Sequence, residues 1–189
     1  MKQGIIEVLG WSNNGKTTFI ERAILTCTKH GLFCAAIKKS RHEPSYPSEG
    51  KDSGRYLFAG AQQSLFISEH SYLYETPSFS SGICPLPNKK DENSVQWAFS
   101  LVNKADIIFC EGLRLQPKPD LLPNPCIAFI VLTGAHAKTE SELKFPLRDI
   151  DILITDSAEL SQQAQEYGKK AFSANRLEAC IEYILKYLK

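Results

Sequence analysis

The chain has 189 residues, 43% of them hydrophobic, and its 22 Lys plus Arg against 21 Asp plus Glu leave a formal net charge of +1. That length predicts one domain over residues 1–189 with a sizeable core, and the near-zero charge excludes non-specific nucleic-acid binding as the main task. The opening apolar run is broken at Glu7, no small-residue cleavage site follows, and no stretch approaches the roughly 18 apolar residues of a membrane span, so neither a secretory leader nor a membrane association is expected.

Gly4 to Leu9 is apolar on both parities, as in a parallel strand covered on both faces. From Gly15 the period becomes helical: Phe19, Ile20, Ala23, Ile24 and Cys27 share one face, and Gly31 stops the helix. Leu32 to Ile37 is a second buried strand, which completes a strand–turn–helix–strand unit. Residues 40–56 are polar with Pro44, Pro47, Gly50 and Gly54 and read as a long loop. Ala61 to Ile67 reads as a strand, with Ser71 to Thr76 pairing back on it, and residues 77–90 as another loop. Glu92 to Val102 is helical by pattern and Ile107 to Cys110 is a strand ending in Glu111-Gly112. Pro117, Pro119, Pro123 and Pro125 forbid regular helix over 113–125. Strands follow at Ile127 to Leu132 and Ile150 to Ile154, then helices at Ser157 to Tyr167 and from about Asn175 to Leu188. The expected fold is α/β and P-loop NTPase-like, a mostly parallel sheet with helices on both faces. Six scattered cysteines without a CxxC pair, and four histidines without metal-ligand spacing, fit a cytoplasmic, reduced protein.

Gly10-Trp11-Ser12-Asn13-Asn14-Gly15-Lys16-Thr17, followed by Thr18, matches GxxxxGK[ST] between a buried strand and an amphipathic helix. Glycines let amides converge on phosphate oxygens, the helix start adds positive partial charge, Lys16 reaches the terminal phosphates and Thr17 can ligate Mg²⁺. A carboxylate near Thr17 is then expected, and Glu111 stands at the carboxyl end of its strand, on the edge where the loop emerges. Asp106 lies at the other end, five residues at ~3.3 Å each or roughly 16 Å away, and reads as a solvated residue at the start of the strand. Asp52, in Gly50-Lys51-Asp52-Ser53-Gly54-Arg55, is a second candidate, to hold Mg²⁺ through water or to orient an attacking water as a catalytic residue with Lys16 and Glu111, and Lys51 or Arg55 can offset phosphate charge; a solvated turn explains the same residues. Lys38, Lys39, Arg41 and His42 form a basic cluster on the same edge, suited to a second phosphorylated molecule or to plain solvation.

Asn103-Lys104-Ala105-Asp106 spells the guanine-reading NKxD, but it precedes its strand instead of following one, which puts it on the amino edge. A base-reading loop belongs after Leu132, at Thr133 and Gly134, or after Ile154, at Thr155 and Asp156; Asp156 can accept from a guanine amino group or serve a helix start.

The phosphate loop, Ile37-Lys38 with His42, Gly50-Lys51-Asp52-Ser53 with Arg55, Ala59-Gly60-Ala61 and Asp106-Ile107-Ile108-Phe109-Cys110-Glu111-Gly112 together resemble the molybdopterin-guanine dinucleotide biosynthesis protein B (MobB) family over roughly the first 115 residues. The resemblance implies a GTP-binding homodimer that assists the molybdenum cofactor guanylyltransferase, hydrolyses GTP weakly, and meets molybdopterin as substrate or ligand. It also implies that Lys16 and Thr17 bind phosphate and Mg²⁺ while Asp52 and Glu111 surround the metal. Asn14, Lys39 and Gly54 depart from the residues common in the family, as does Leu113-Arg114-Leu115. A small-molecule kinase on the same scaffold is the alternative, although Arg22, Arg41, Arg55, Arg114, Arg148 and Arg176 are too dispersed to form an obvious lid; a module whose nucleotide only stabilises the fold is a third reading.

Overall fold

The computed structural model describes residues 3–46, 52–87, 91–115, 126–134 and 136–188, with backbone alone at 52, 53 and 91–94. In chain order the elements are β1 (Gln3–Leu9), α1 (Lys16–Lys29), β2 (Cys34–Lys39), α2 (Asp52–Phe58), β3 (Gln63–Ile67), β4 (Ser71–Thr76), β5 (Phe79–Pro85), α3 (Asp91–Leu101), β6 (Ile107–Glu111), β7 (Cys126–Thr133), β8 (Ile152–Ile154), α4 (Ala158–Glu166), β9 (Lys170–Phe172) and α5 (Leu177–Leu188). They build a nine-stranded sheet in the order β5-β4-β3-β2-β6-β1-β7-β8-β9. Every pairing from β3 across to β9 is parallel; only the β3–β4 and β4–β5 pairs are antiparallel.

Strand parity sorts the side chains into layers. Ile6, Val8, Ala36, Phe109 and Val131 face α1 and α5, where they meet Phe19, Ile20, Ile24, Ile181 and Ile184. On the other face Ile5, Ala35, Ile37 and Ile108 meet Val95, Phe99 and Val102 of α3. Further along that face, Leu132 and Leu153 meet Leu160 and Ala164 of α4. Being covered on both sides is why these strands are apolar on both parities. The five residues expected on the buried face of α1 are its buried residues, and Ser157 caps α4 by accepting from the Leu160 amide at 3.3 Å.

The structure departs from the sequence reading in four places. The supposed loop over 40–56 ends in helix α2, which starts at Asp52. Seven residues with Gly54 among them are too few to display a helical period. The supposed loop over 77–90 contains β5, an edge strand with Phe79 and Ile83 exposed, where Gly82 and a terminal Pro85 are tolerated. Three-residue β9 was not anticipated at all. Asp106 is not simply solvated: its Oδ2 accepts from the Phe33 amide at 2.8 Å and so fixes the approach to β2. The expectations for residues 116–125 and Lys51 lie outside the described residues.

NKAD does sit on the amino edge. Gln3 Nε2, at the start of β1, donates to the carbonyls of Asn103 at 3.3 Å and Ala105 at 2.8 Å. Among the described residues, no helix is long and apolar enough to cross a membrane.

Cys27, Cys34, Cys110 and Cys180 are buried, while Cys84 and Cys126 are half-buried. Burial pushes the Cys180 thiol up to about 12 and raises Cys110 well above the ordinary value of 9.0. A hydrogen bond with Cys27, followed by burial, raises Cys34. A thiol-specific colorimetric reagent at pH 8 is expected to titrate Cys84 first, then Cys126, and to reach the other four only on unfolding. The sign of the pH effect follows. Above pH 9 the unfolded chain loses thiol protons that the folded chain keeps, so the stability carried by Cys180 is complete below pH 9 and drains away toward about 12. Urea titrations at pH 8, 9.5 and 10.5 check that fall.

Candidate functional site

At the carboxyl edge, β1 lies between β6 and β7, with β2 on the far side of β6. The chain leaves β1 as residues 10–15 and turns into α1. Gly15 caps α1 in the left-handed region, with φ 77°, and makes no side-chain cap hydrogen bond. The first turn of α1 contains no acidic residue. The positive partial charge of its amides is therefore not offset by a carboxylate of that turn. Asn13 also has a positive φ, 62°, in the region that Asn tolerates best among non-glycine residues.

The loop's lysine folds back over it. Lys16 Nζ donates to the Trp11 carbonyl at 2.7 Å and lies 3.8 Å from Glu111 Oε1. In the parallel register Lys38 pairs with Glu111 across β2 and β6, and Val8 of β1 pairs with Glu111 from the other side. Glu111 shares parity with Ile107 and Phe109, so its side chain projects to the α1 face, where the loop is. There it is 7% exposed and gathers donors on both oxygens. Lys38 Nζ donates to Oε1 at 3.2 Å, while the Tyr56 hydroxyl donates to Oε2 at 2.9 Å and the Thr17 hydroxyl to the same oxygen at 3.4 Å. Sequence reasoning put Lys16, Thr17, Lys38 and Glu111 on one edge; the structure brings them into one cluster.

The remaining candidates sit as follows. Asp52 opens α2, and its side chain lies outside the described ones. Arg55 ties α2 to α1: its Nε and Nη2 donate to the two carboxylate oxygens of Glu21, each at 2.7 Å. To reach a phosphate, Arg55 would have to leave that pair. Asp156 Oδ1 accepts from the Ser173 hydroxyl at 2.5 Å and the Ala174 amide at 3.0 Å, holding the 3-10 turn Ala174–Arg176. Trp11 is half exposed and strapped to the segment after β7: its Nε1 donates to the Glu142 carbonyl at 2.9 Å, and Lys144 Nζ lies 5.6 Å from its ring centroid. Tyr56, Glu21, Glu142 and Lys144 escaped the sequence reading. For Tyr56 a signal existed, since it follows Asp52 by four residues and would share its face on a helix.

Gly112, directly after Glu111, has φ 80°, and a Cβ there would meet the Lys39 carbonyl oxygen. Glu7, buried beneath this turn, accepts from the Leu115 amide at 3.0 and 3.1 Å. Gly112→Ala therefore forces both a left-handed alanine and a backbone clash at the end of β6. It is expected to cost about 2–3 kcal/mol of stability, read as a lower urea midpoint.

A glycine-bearing loop between an interior strand and the first helix of a mostly parallel sheet, with a lysine and a hydroxyl opening that helix, defines a P-loop NTPase-like protein. Within that class the chain belongs to the molybdopterin guanine dinucleotide synthesis protein B (MobB) family, whose family model matches residues 5–122. It is 24% identical over 184 residues to the molybdopterin-guanine dinucleotide biosynthesis adapter protein of Haemophilus influenzae, covering 97% of this chain and 89% of that protein. The crystal structure of Bacillus subtilis MobB superposes with a TM-score of 0.57 at 21% identity over 98% of both chains. The hydrogenase maturation factor HypB of Archaeoglobus fulgidus shares the fold at a TM-score of 0.60 and 14% identity, over 99% of this chain and 91% of that one.

Proposed function

We propose that this protein is a GTP-binding adapter of molybdopterin guanine dinucleotide formation, acting as one unit over residues 1–189 beside the molybdenum cofactor guanylyltransferase. The observation that carries the reading is the meeting of Lys16, Thr17, Lys38 and Glu111 next to a helix start that has no side-chain cap, in a chain of the MobB family. The loop Gly10–Thr18 cradles the phosphates, and Lys16 and Lys38 supply positive charge for them. When a triphosphate enters, both ammonium groups exchange the Glu111 carboxylate for phosphate oxygens.

The donor set fits Mg²⁺. The Thr17 hydroxyl and a Glu111 carboxylate oxygen are hard oxygen ligands 3.4 Å apart, and Asp52 begins the neighbouring helix. Mg²⁺ there would neutralise charge on the terminal phosphates, which supports slow GTP hydrolysis. Asp156 is the base-side candidate, since the Thr133 hydroxyl is buried and donates to the Leu9 carbonyl at 2.9 Å, and Arg55 is a phosphate contact once released from Glu21. We further infer a cytoplasmic homodimer that receives molybdopterin near Lys38.

The test is a calorimetric panel of GTP, ATP and GDP, with and without Mg²⁺ and molybdopterin. Mg²⁺-dependent binding that prefers GTP supports the reading. Multiple-turnover phosphorylation of a small acceptor would replace it with a kinase, and the absence of nucleotide binding would overturn it.

A further inference from the structure

We infer that Tyr56 is a positioning residue for Glu111, holding that carboxylate in place for Mg²⁺ while the two lysines move to the nucleotide; the inference rests on the nucleotide reading above. The donors on Glu111 divide by oxygen. The ammonium groups of Lys38 and Lys16 face Oε1, at 3.2 and 3.8 Å, whereas the hydroxyls of Tyr56 and Thr17 face Oε2, at 2.9 and 3.4 Å. A triphosphate draws the ammonium groups away, because phosphate offers them more negative charge than one carboxylate does. It also leaves Thr17 to the metal. A carboxylate that loses those partners is free to rotate, unless something that does not respond to phosphate keeps hold of it.

Tyr56 meets that requirement. Its ring is 1% exposed and packs in the core between α1, α2 and the sheet, with Phe19, Ala36 and Phe109 in the same cluster. Core packing keeps the ring from following a ligand, and a tyrosine hydroxyl brings no positive charge that would repel a cation. A lysine or arginine in its place would be drawn to phosphate as Lys16 and Lys38 are, and its charge would oppose Mg²⁺. The same side chain links the two halves of the proposed metal set. Tyr56 lies one helical turn after Asp52 on α2, so its hydroxyl fixes that helix against the end of β6.

The test uses Tyr56→Phe, which deletes one oxygen and keeps the ring in the core. The Mg²⁺ concentration giving half-maximal enhancement of GTP binding is expected to rise at least about tenfold, the scale of a lost hydrogen bond to a charged group, while metal-free GTP binding stays within about twofold. A double-mutant cycle separates positioning from structure: in a Glu111→Gln background, Tyr56→Phe is expected to leave the Mg²⁺ requirement unchanged. Equal weakening with and without Mg²⁺, or additive losses in the cycle, would assign Tyr56 a structural role and overturn the inference. Unaltered protein that binds no Mg-GTP overturns the nucleotide reading and this inference with it; a Tyr56→Phe protein with unaltered Mg²⁺ dependence overturns the inference alone.

Discussion

Lys16→Ala is expected to weaken Mg-GTP binding by at least ~2 kcal/mol, or roughly thirtyfold in Kd, while leaving the fold intact. The size follows from the chemistry of the bond that alanine removes. A charge-assisted bond to phosphate is worth about twice a neutral one, and the alanine brings no other donor to the loop mouth. The intact fold follows from what Lys16 does without nucleotide. It donates to the Trp11 carbonyl on an open loop and faces Glu111 at 3.8 Å, and that carboxylate also accepts from Lys38 and Tyr56. Alanine is also a strong helix former at the start of α1. Isothermal calorimetry with a parallel thermal scan separates the two effects. Unchanged affinity would remove Lys16 from the phosphate site; a fall in affinity matched by a large fall in Tm would make it a structural lysine.

How much of this was legible in the residues depends on burial and on length. The path from β1 through the loop into α1 and on to β2 was readable because strands covered on both faces are apolar throughout, and α1 keeps its period over fourteen residues. Glu111 was readable by its place at the carboxyl end of such a strand. Helix α2 was hidden, since a seven-residue helix bearing Gly54 shows less than two repeats of its period. Strand β5 was hidden for the opposite reason: on an edge, with Phe79 and Ile83 in solvent, nothing forces an inside–outside alternation. Contacts distant in the chain left no local trace. The Trp11 link to Glu142 spans 131 positions, and the Arg55 pair with Glu21 spans 34. Arg55 illustrates the cost of that blindness. As an isolated residue beside Asp52 it reads as a phosphate ligand, yet its Nε and Nη2 are both engaged by Glu21 of α1. Two partners of equal chemistry, a carboxylate and a phosphate, cannot be told apart without the fold.

Glu111→Gln is the second large effect, and its signs distinguish it from ordinary damage. The amide keeps the side chain's shape and its capacity to accept from Tyr56, but it removes a negative charge that both Lys38 and Lys16 face. Without nucleotide, two ammonium groups are left beside a neutral amide in a largely buried setting, and the protein is expected to lose about 2 kcal/mol, or about 4–8 °C in Tm. With Mg-GTP the loss should grow, since Mg²⁺ no longer meets a charged oxygen beside Thr17; a fall of about tenfold or more in affinity is expected. With metal-free GTP the sign reverses. The carboxylate repels the phosphates when no cation lies between them, so its removal is expected to leave binding unchanged or tighter. Titrations in Mg²⁺ and in excess chelator, on the same preparation, read both signs. A variant that loses affinity equally under the two conditions would make Glu111 only the acid that holds Lys38 and Tyr56 together, and the proposed metal set would then lose the residue at its centre.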